Sequence, residues 1–233
     1  MSNARDVPPP AKQGPASPSA NGLTLVESAY EYLLSMLMTV KIAPGERIRI
    51  DAVARHLGIS QTPIREALSQ LEAEKLVYKV TNVGYRASPQ MSSEEVHDLY
   101  TLRLLIEPYA AARAAERMDD DDLTTLRQVQ ADMDEKVESS GRGVARFANA
   151  DTEFHRIIAR GSGNRLIEET IERLHAHLQI FRSLYQSKMQ PKVVAQEHRR
   201  IIAALLARDP AAAEKAVREH LISSQRRMDR GSA

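Results

Sequence analysis

LGISQTPIREALSQLEAEKLV, running from Leu57 to Val77, is the stretch whose reading decides the fold. Gly58 closes one short apolar-periodic segment and Ser60, an N-cap type of residue, opens another. Pro63 falls in the first turn of that second segment, where a missing N–H costs nothing, and Ile64, Leu68 and Leu71 make its buried stripe. Two helices joined by about three residues around a glycine predict a helix-turn-helix. Its first helix opens at Asp51, a good N-cap residue, and carries Val53 and Leu57. After Lys75 the pattern changes. Leu76-Val77-Tyr78-Lys79-Val80, an Asn82/Gly84 turn and Tyr85-Arg86-Ala87 predict a small β-hairpin, the wing of a winged helix-turn-helix.

Upstream, Val26, Tyr30, Leu33, Leu34 and Leu37 recur at helical spacing until Pro44-Gly45 breaks the chain. Before that helix, five of the eleven prolines crowd into the first twenty residues among Ser, Gly and Asn, which predicts a disordered tail over 1–22. Downstream of residue 92 only helical patterns follow, at about 93–117, 122–138, 143–160, 164–187, 191–207 and 210–228. The expected fold is therefore mainly α: a winged helix-turn-helix over 23–88, a linker at 89–91 and an all-α six-helix bundle over 92–229.

Composition narrows the chemistry. The 233 residues contain no cysteine, which excludes a disulfide scaffold, a cysteine-ligated zinc or iron-sulfur site and a cysteine nucleophile. No apolar run approaches the roughly 18 residues that span a bilayer, and the N-terminus lacks a signal-peptide pattern, so a cytoplasmic protein without membrane contact is expected. With 32 Lys+Arg against 31 Asp+Glu, any nucleic-acid contact has to be local. The second helix of a helix-turn-helix lies in the major groove with its N-terminal residues at the base edges. Here those are Ser60, Gln61, Thr62 and Arg65, and the wing adds Lys79 and Arg86. Gln suits adenine, Arg suits guanine, and the hydroxyls suit bases or phosphates.

These residues resemble the GntR superfamily of bacterial regulators, with TPIREAL, preceded by APGERIRIDAVARH, as the specific signal. The resemblance implies that Gln61, Thr62, Arg65 and the wing glycine Gly84 approach an operator. Gln61 stands where the family usually has Arg, and Lys75 where it usually has Gly.

The helical half places polar groups on apolar stripes. Phe147, Asp151, Phe154, His155 and Ile158 share one helical face; His198 lies on the stripe of Val194, Ile201 and Leu205, and His220 on that of Ala213, Val217 and Leu221. Burying such groups without partners costs several kcal/mol, about 2–7 for a neutral polar group. Hydrogen-bonded core histidines are one answer; a divalent ion, zinc foremost, with nickel or manganese as alternatives, is the other. Arg103 and Glu107, four apart, read as a salt bridge, or Arg103 as a fork for an acidic metabolite; Arg182 is a second such anchor and His175 a hydrogen-bonding group in the same cavity. His177 points elsewhere, and His56 and His97 read as surface or junction residues.

DTEFHRIIARGSGN (151–164), EHRRIIAAL (197–205) and REHL (218–221) resemble the FCD ligand-binding domain of the FadR subfamily, in its shorter, VanR-like branch. That resemblance implies metal ligands at Asp151, His155, His198 and His220 and a homodimer that responds to a small carboxylate. The expected function is a transcriptional regulator, by resemblance a repressor, that reads a near-palindromic double-stranded operator. A metal sensor and, more remotely, a metal-dependent hydrolase are the alternatives.

Overall fold

The computed structural model describes residues 23–136, 142–174, 178–180, 182 and 190–229. Helix α1 (Leu25–Met38) starts in a capping box, with the Thr24 hydroxyl accepting from the Glu27 N–H and the Glu27 carboxylate accepting from the Thr24 N–H. Its stripe of Leu33, Leu34 and Leu37 is fully buried against α3. Helix α2 (Ile50–Leu57) stops at Gly58, whose φ of +67° is the left-handed conformation that glycine adopts without cost, and α3 (Gln61–Ala73) follows. The helix-turn-helix is thus present, with two corrections to its caps. Arg49, not Asp51, occupies the N-cap of α2; the Asp51 carboxylate instead meets the guanidinium groups of Arg49 and Arg55, at 3.7 and 3.2 Å. Ser60 does stand at the N-cap of α3, but its exposed hydroxyl makes no capping bond.

The wing is an antiparallel pair, β1 (Val77–Val80) and β2 (Gly84–Ala87), with Val80 opposite Gly84. Asn82 at φ +61° turns the tip. A bridge between Arg47 and Arg86, and the Ile48 N–H donating to the Tyr85 carbonyl, fasten the loop before α2 to the wing. Lys75 has φ +60°, so the position where glycine would be relaxed is held left-handed by a lysine at the end of α3.

A second capping box, Ser92 with Glu95, starts α4 (Ser93–Arg117). There follow α5 (Asp120–Lys136), α6 (Arg142–Gly161), α7 (Arg165–Leu174), α8 (Pro191–Leu206) and α9 (Pro210–Asp229). Residues 178–180 and 182 are also helical. The tail expected over 1–22 and part of the helix expected over 164–187 lie outside the described residues.

Helices α4 and α9 lie along one another, and the Tyr100 hydroxyl and Ser224 Oγ are 2.7 Å apart inside their contact. Ala111 and Ala114 of α4, Leu126 of α5, Phe154 and Ile157 of α6, Ile201 and Leu205 of α8, and Val217 and Leu221 of α9 form one buried cluster. Small alanines on α4 admit the larger side chains of its neighbours, and the polar groups of α6, α8 and α9 are carried inward on the same faces. Helix α6 also packs on α1, so the head is seated on the helical half. Among the described residues no helix is long and apolar enough to cross a membrane.

Candidate metal centre and DNA-reading surface

His155, His198 and His220 come from three different helices, are at most 4% exposed, and each offers a ring nitrogen within 4.8 Å of the others. Asp151 sits one turn before His155 on α6, and its Oδ1 lies 3.4 Å from His198 Nε2. That carboxylate is buried and Oδ1 accepts no hydrogen bond. Burial pushes the Asp151 carboxyl up to about 7, against the opposing pull of His220 and Arg103. Phe154 stacks on the His198 ring, with centroids 3.9 Å apart and planes 3° from parallel, which fixes the plane in which that imidazole can act.

Two of the histidines are oriented in the same way. His155 Nδ1 is 2.8 Å from a Glu107 carboxylate oxygen, and Arg103 Nε donates to the other oxygen at 2.5 Å. His220 Nδ1 is 2.8 Å from Glu197 Oε2, and Glu197 is itself held by Arg227 and by the Ser223 hydroxyl. Burial alone would raise both carboxyl groups; Arg103 and His155 hold Glu107 well below the usual range, and bonds from His220, Arg227 and Ser223 bring Glu197 down to about 2. Both partners are therefore carboxylates, able only to accept, so Nδ1 carries the proton in each imidazole. Burial lowers the proton affinity of His155 and of His220, which keeps the rings neutral near pH 7. The second nitrogen of each ring is left with its lone pair, and the carboxylate behind it raises its basicity.

The other surface lies on the head. Ser60, Gln61, Thr62 and Arg65 are all exposed on one side of α3, and Arg65 Nη2 donates to Gln61 Oε1 at 3.3 Å. Lys79 is exposed on the wing, whereas Arg86 is half-buried and donates to the Gly45 carbonyl at 2.7 Å, fastening the wing to the loop. Gly84 has φ +107°, a conformation that any side chain would strain at the strand start. Arg49 and Arg55 are also exposed beside Asp51.

Residues 25–86 match the family described as bacterial regulatory proteins, gntR family, and residues 98–223, more than half of the chain, match the FCD domain. The chain belongs to the GntR family. It is 27% identical to the uncharacterized HTH-type transcriptional regulator YdhC of Bacillus subtilis, over 82% of this chain and 85% of that protein. It is 28% identical to the HTH-type transcriptional repressor GlaR of Escherichia coli, over 83% and 91% of the two chains. The solved structure of E. coli McbR/YncC shares the fold, with a TM-score of 0.66 at 19% identity over 91% of this chain and all of that one. This GntR-family chain is a sequence-specific DNA-binding transcriptional regulator, and its relatives are regulators, not enzymes.

Within the GntR-family frame, the four residues expected as ligands are brought together from positions up to 69 apart in sequence, Asp151 to His220. The expected anchors for an acid are arranged differently. Arg103 meets both oxygens of Glu107, so its fork serves the residue that orients His155. Arg182 is buried at the junction and donates to the Ser88 carbonyl at 2.5 Å. His175 lies outside the described residues. The sequence did not single out Glu197 and Arg227. Glu197 precedes an inward histidine, but its partner is on another helix, and no local spacing announces such a pair.

Proposed function

We propose that the regulator holds a divalent metal ion, zinc foremost, on His155, His198, His220 and Asp151, and that occupancy of this site together with a small carboxylate sets its affinity for DNA. The observation that carries the reading is the paired orientation of His155 by Glu107 and of His220 by Glu197, beside a buried carboxylate oxygen that accepts no hydrogen bond. Carboxylates behind two imidazoles are the outer shell that metal-ligating histidines usually have, and a histidine-rich oxygen-and-nitrogen set suits a divalent first-row ion. When bound, such an ion supplies positive charge and coordination positions that a small carboxylate can fill. The protein's own contribution is to keep two rings neutral, fix their tautomers and shield the site from water.

On the DNA side, Gln61, Thr62 and Arg65 read bases, Ser60 and Lys79 hold phosphates, and Arg86 and Gly84 set the wing's shape beside the groove. Two heads in a homodimer would read a near-palindrome. GlaR is a repressor, and repression is the mode proposed for this chain, in the cytoplasm, where the operator is.

One observation favours a second reading, in which the metal itself is the signal. The cavity beside His155, lined by Glu107, Ala110, Ile158, Ile171 and Val217, measures about 10 Å³, room for about one water. The test is metal analysis of the purified protein before and after chelation, then gel-shift titration against its upstream DNA with zinc alone and with small carboxylates added. Metal in near-stoichiometric amount and a carboxylate-dependent shift support the first reading, and a shift with zinc alone supports the second. A protein that takes up no metal refutes both.

A further inference from the structure

The helix that supplies Asp151 and His155 also grips the head. On a different face of α6 from those ligands, Arg146 donates to both carboxylate oxygens of Glu31 on α1, at 3.2 and 3.0 Å. Next to Glu31 on α1, the Tyr30 hydroxyl donates to the Glu74 carboxylate, whose two oxygens lie 2.8 and 2.9 Å away. Glu74 is the C-cap of α3, the helix that presents Gln61 and Arg65 to DNA. A continuous path therefore runs from the buried site through α6, the Arg146–Glu31 pair and the adjacent Tyr30 to the end of the DNA-reading helix.

We propose that α6 is the lever by which the state of the three-histidine site sets the angle of the DNA-reading helix, with the Arg146–Glu31 pair, Tyr30 and Glu74 as its linkage. The proposal rests on the metal reading for its signal and on the α1–α6 contact for its mechanics. Helices transmit small displacements as rigid bodies, and Arg146 is five residues from Asp151 and nine from His155 on the same helix, so a shift of α6 at the site is carried whole to the contact. The contact has room to rock. An open cleft of about 380 Å³, bordered by Glu31, Asp132, Arg146, Asn149 and Glu153, runs beside it, whereas the far side is packed with Phe147 and Ala148. A polar contact with a packed fulcrum on one side and solvent on the other can change angle without opening a core.

The test compares operator affinity with and without zinc for the full chain, using an operator selected from random duplexes by the wild-type protein. Coupling between two sites is commonly about 5- to 150-fold, and the wild-type ratio is expected in that range. Tyr30→Phe combined with Arg146→Ala should bring the ratio close to one while zinc uptake stays as in the wild type. The charge-swapped pair Glu31→Arg with Arg146→Glu, which keeps the ion pair with reversed polarity and leaves Tyr30 in place, should restore most of the ratio lost in Arg146→Glu alone. A double variant that keeps the full wild-type ratio overturns the lever, as does a wild type that binds zinc with no change in operator affinity.

The mechanics have a separate readout, so that a failed metal reading is distinguishable from a failed lever. The chain has no cysteine, so Glu66→Cys on α3 and Glu116→Cys on α4, both exposed, can carry spin labels at unique sites. The head-to-body distance distribution should be narrow in the labelled parent and clearly broader when Tyr30→Phe and Arg146→Ala are added. An equally narrow distribution overturns the lever whatever the metal does. Absence of zinc uptake in the parent, with the broadening present, overturns the metal reading alone.

Discussion

The two proposed functional regions of this regulator solve opposite problems. On the head, the working side chains are ordinary surface groups: Gln61, Thr62, Arg65 and Lys79 are exposed and need no special environment, only a frame that aims them. In the helical half the working groups are buried, and almost every neighbour exists to make their burial tolerable. Glu107 needs Arg103, Glu197 needs Arg227 and Ser223, and the imidazoles need the two carboxylates. The head's chemistry is thus local and replaceable residue by residue, whereas the inner site is a network in which each loss exposes another group.

Substitutions should follow that divide. The largest effect is expected for His198→Ala or His220→Ala, which remove a proposed ligand outright. Metal affinity should fall by more than the about 10- to 100-fold typical of losing an outer-shell partner, measured by competition with a chromophoric chelator. Full metal occupancy in a variant lacking both would break the contrast at its inner end. Glu107→Gln comes next. It keeps the shape but weakens the hold on His155 and leaves Arg103 facing a neutral amide, so metal affinity should drop by about 10- to 100-fold and the melting temperature should fall as well. Operator contacts on the head should be untouched.

Arg65→Ala should do the reverse. Operator affinity should weaken by about 1–3 kcal/mol, with metal content and melting temperature at wild-type values, because the exposed guanidinium bonds only the neighbouring Gln61 side chain and supports no buried group. Unchanged operator affinity in Arg65→Ala would sink the register assigned to α3. The smallest effect concerns the seam between the regions. Burial raises the Glu74 carboxyl to about 6, partly offset by the Tyr30 hydroxyl. A carboxyl whose folded value is raised gives its full stabilisation below its unfolded value and loses it as pH climbs through about 6. Glu74→Gln cannot titrate, so the variant should match the wild type near pH 4.5 and gain on it above pH 6, by about 1 kcal/mol at most in a group that water partly reaches. A difference independent of pH would show that Glu74 does not titrate in that window.

Much of this architecture was legible in the chain itself. The turn glycine Gly58, the stripe of Ile64, Leu68 and Leu71, and the Val77–Ala87 hairpin are all set by neighbours a few residues away, which is why the winged helix-turn-helix stands as read. The two cap errors have a common source. Asp51 and Ser60 are both N-cap residue types, but Asp51 lies inside the first turn of α2, where its carboxylate is drawn to Arg49 and Arg55, and Ser60, although at the N-cap of α3, is exposed and makes no capping bond. Local propensity proposes a partner, and a nearby charge or water can take its place.

The inner site divides along the same line. Helical periodicity was enough to turn Asp151, His155, His198 and His220 inward, because the side of a helix on which a residue falls follows from about 3.6 residues per turn and the apolar residues beside it. Periodicity could not say that the three histidines meet, that Glu107 and Glu197 stand behind two of them, or that Arg103 is committed to Glu107, since those distances depend on how α4, α6, α8 and α9 are arranged in space. Nor could it show α6 touching the head through Arg146 and Glu31. The sequence by itself determined which elements form and which faces are buried, because short-range sterics and hydrophobic spacing decide both. Only the tertiary structure decided which buried charges neutralise one another, because pairing depends on distances of a few ångströms between residues far apart in the chain.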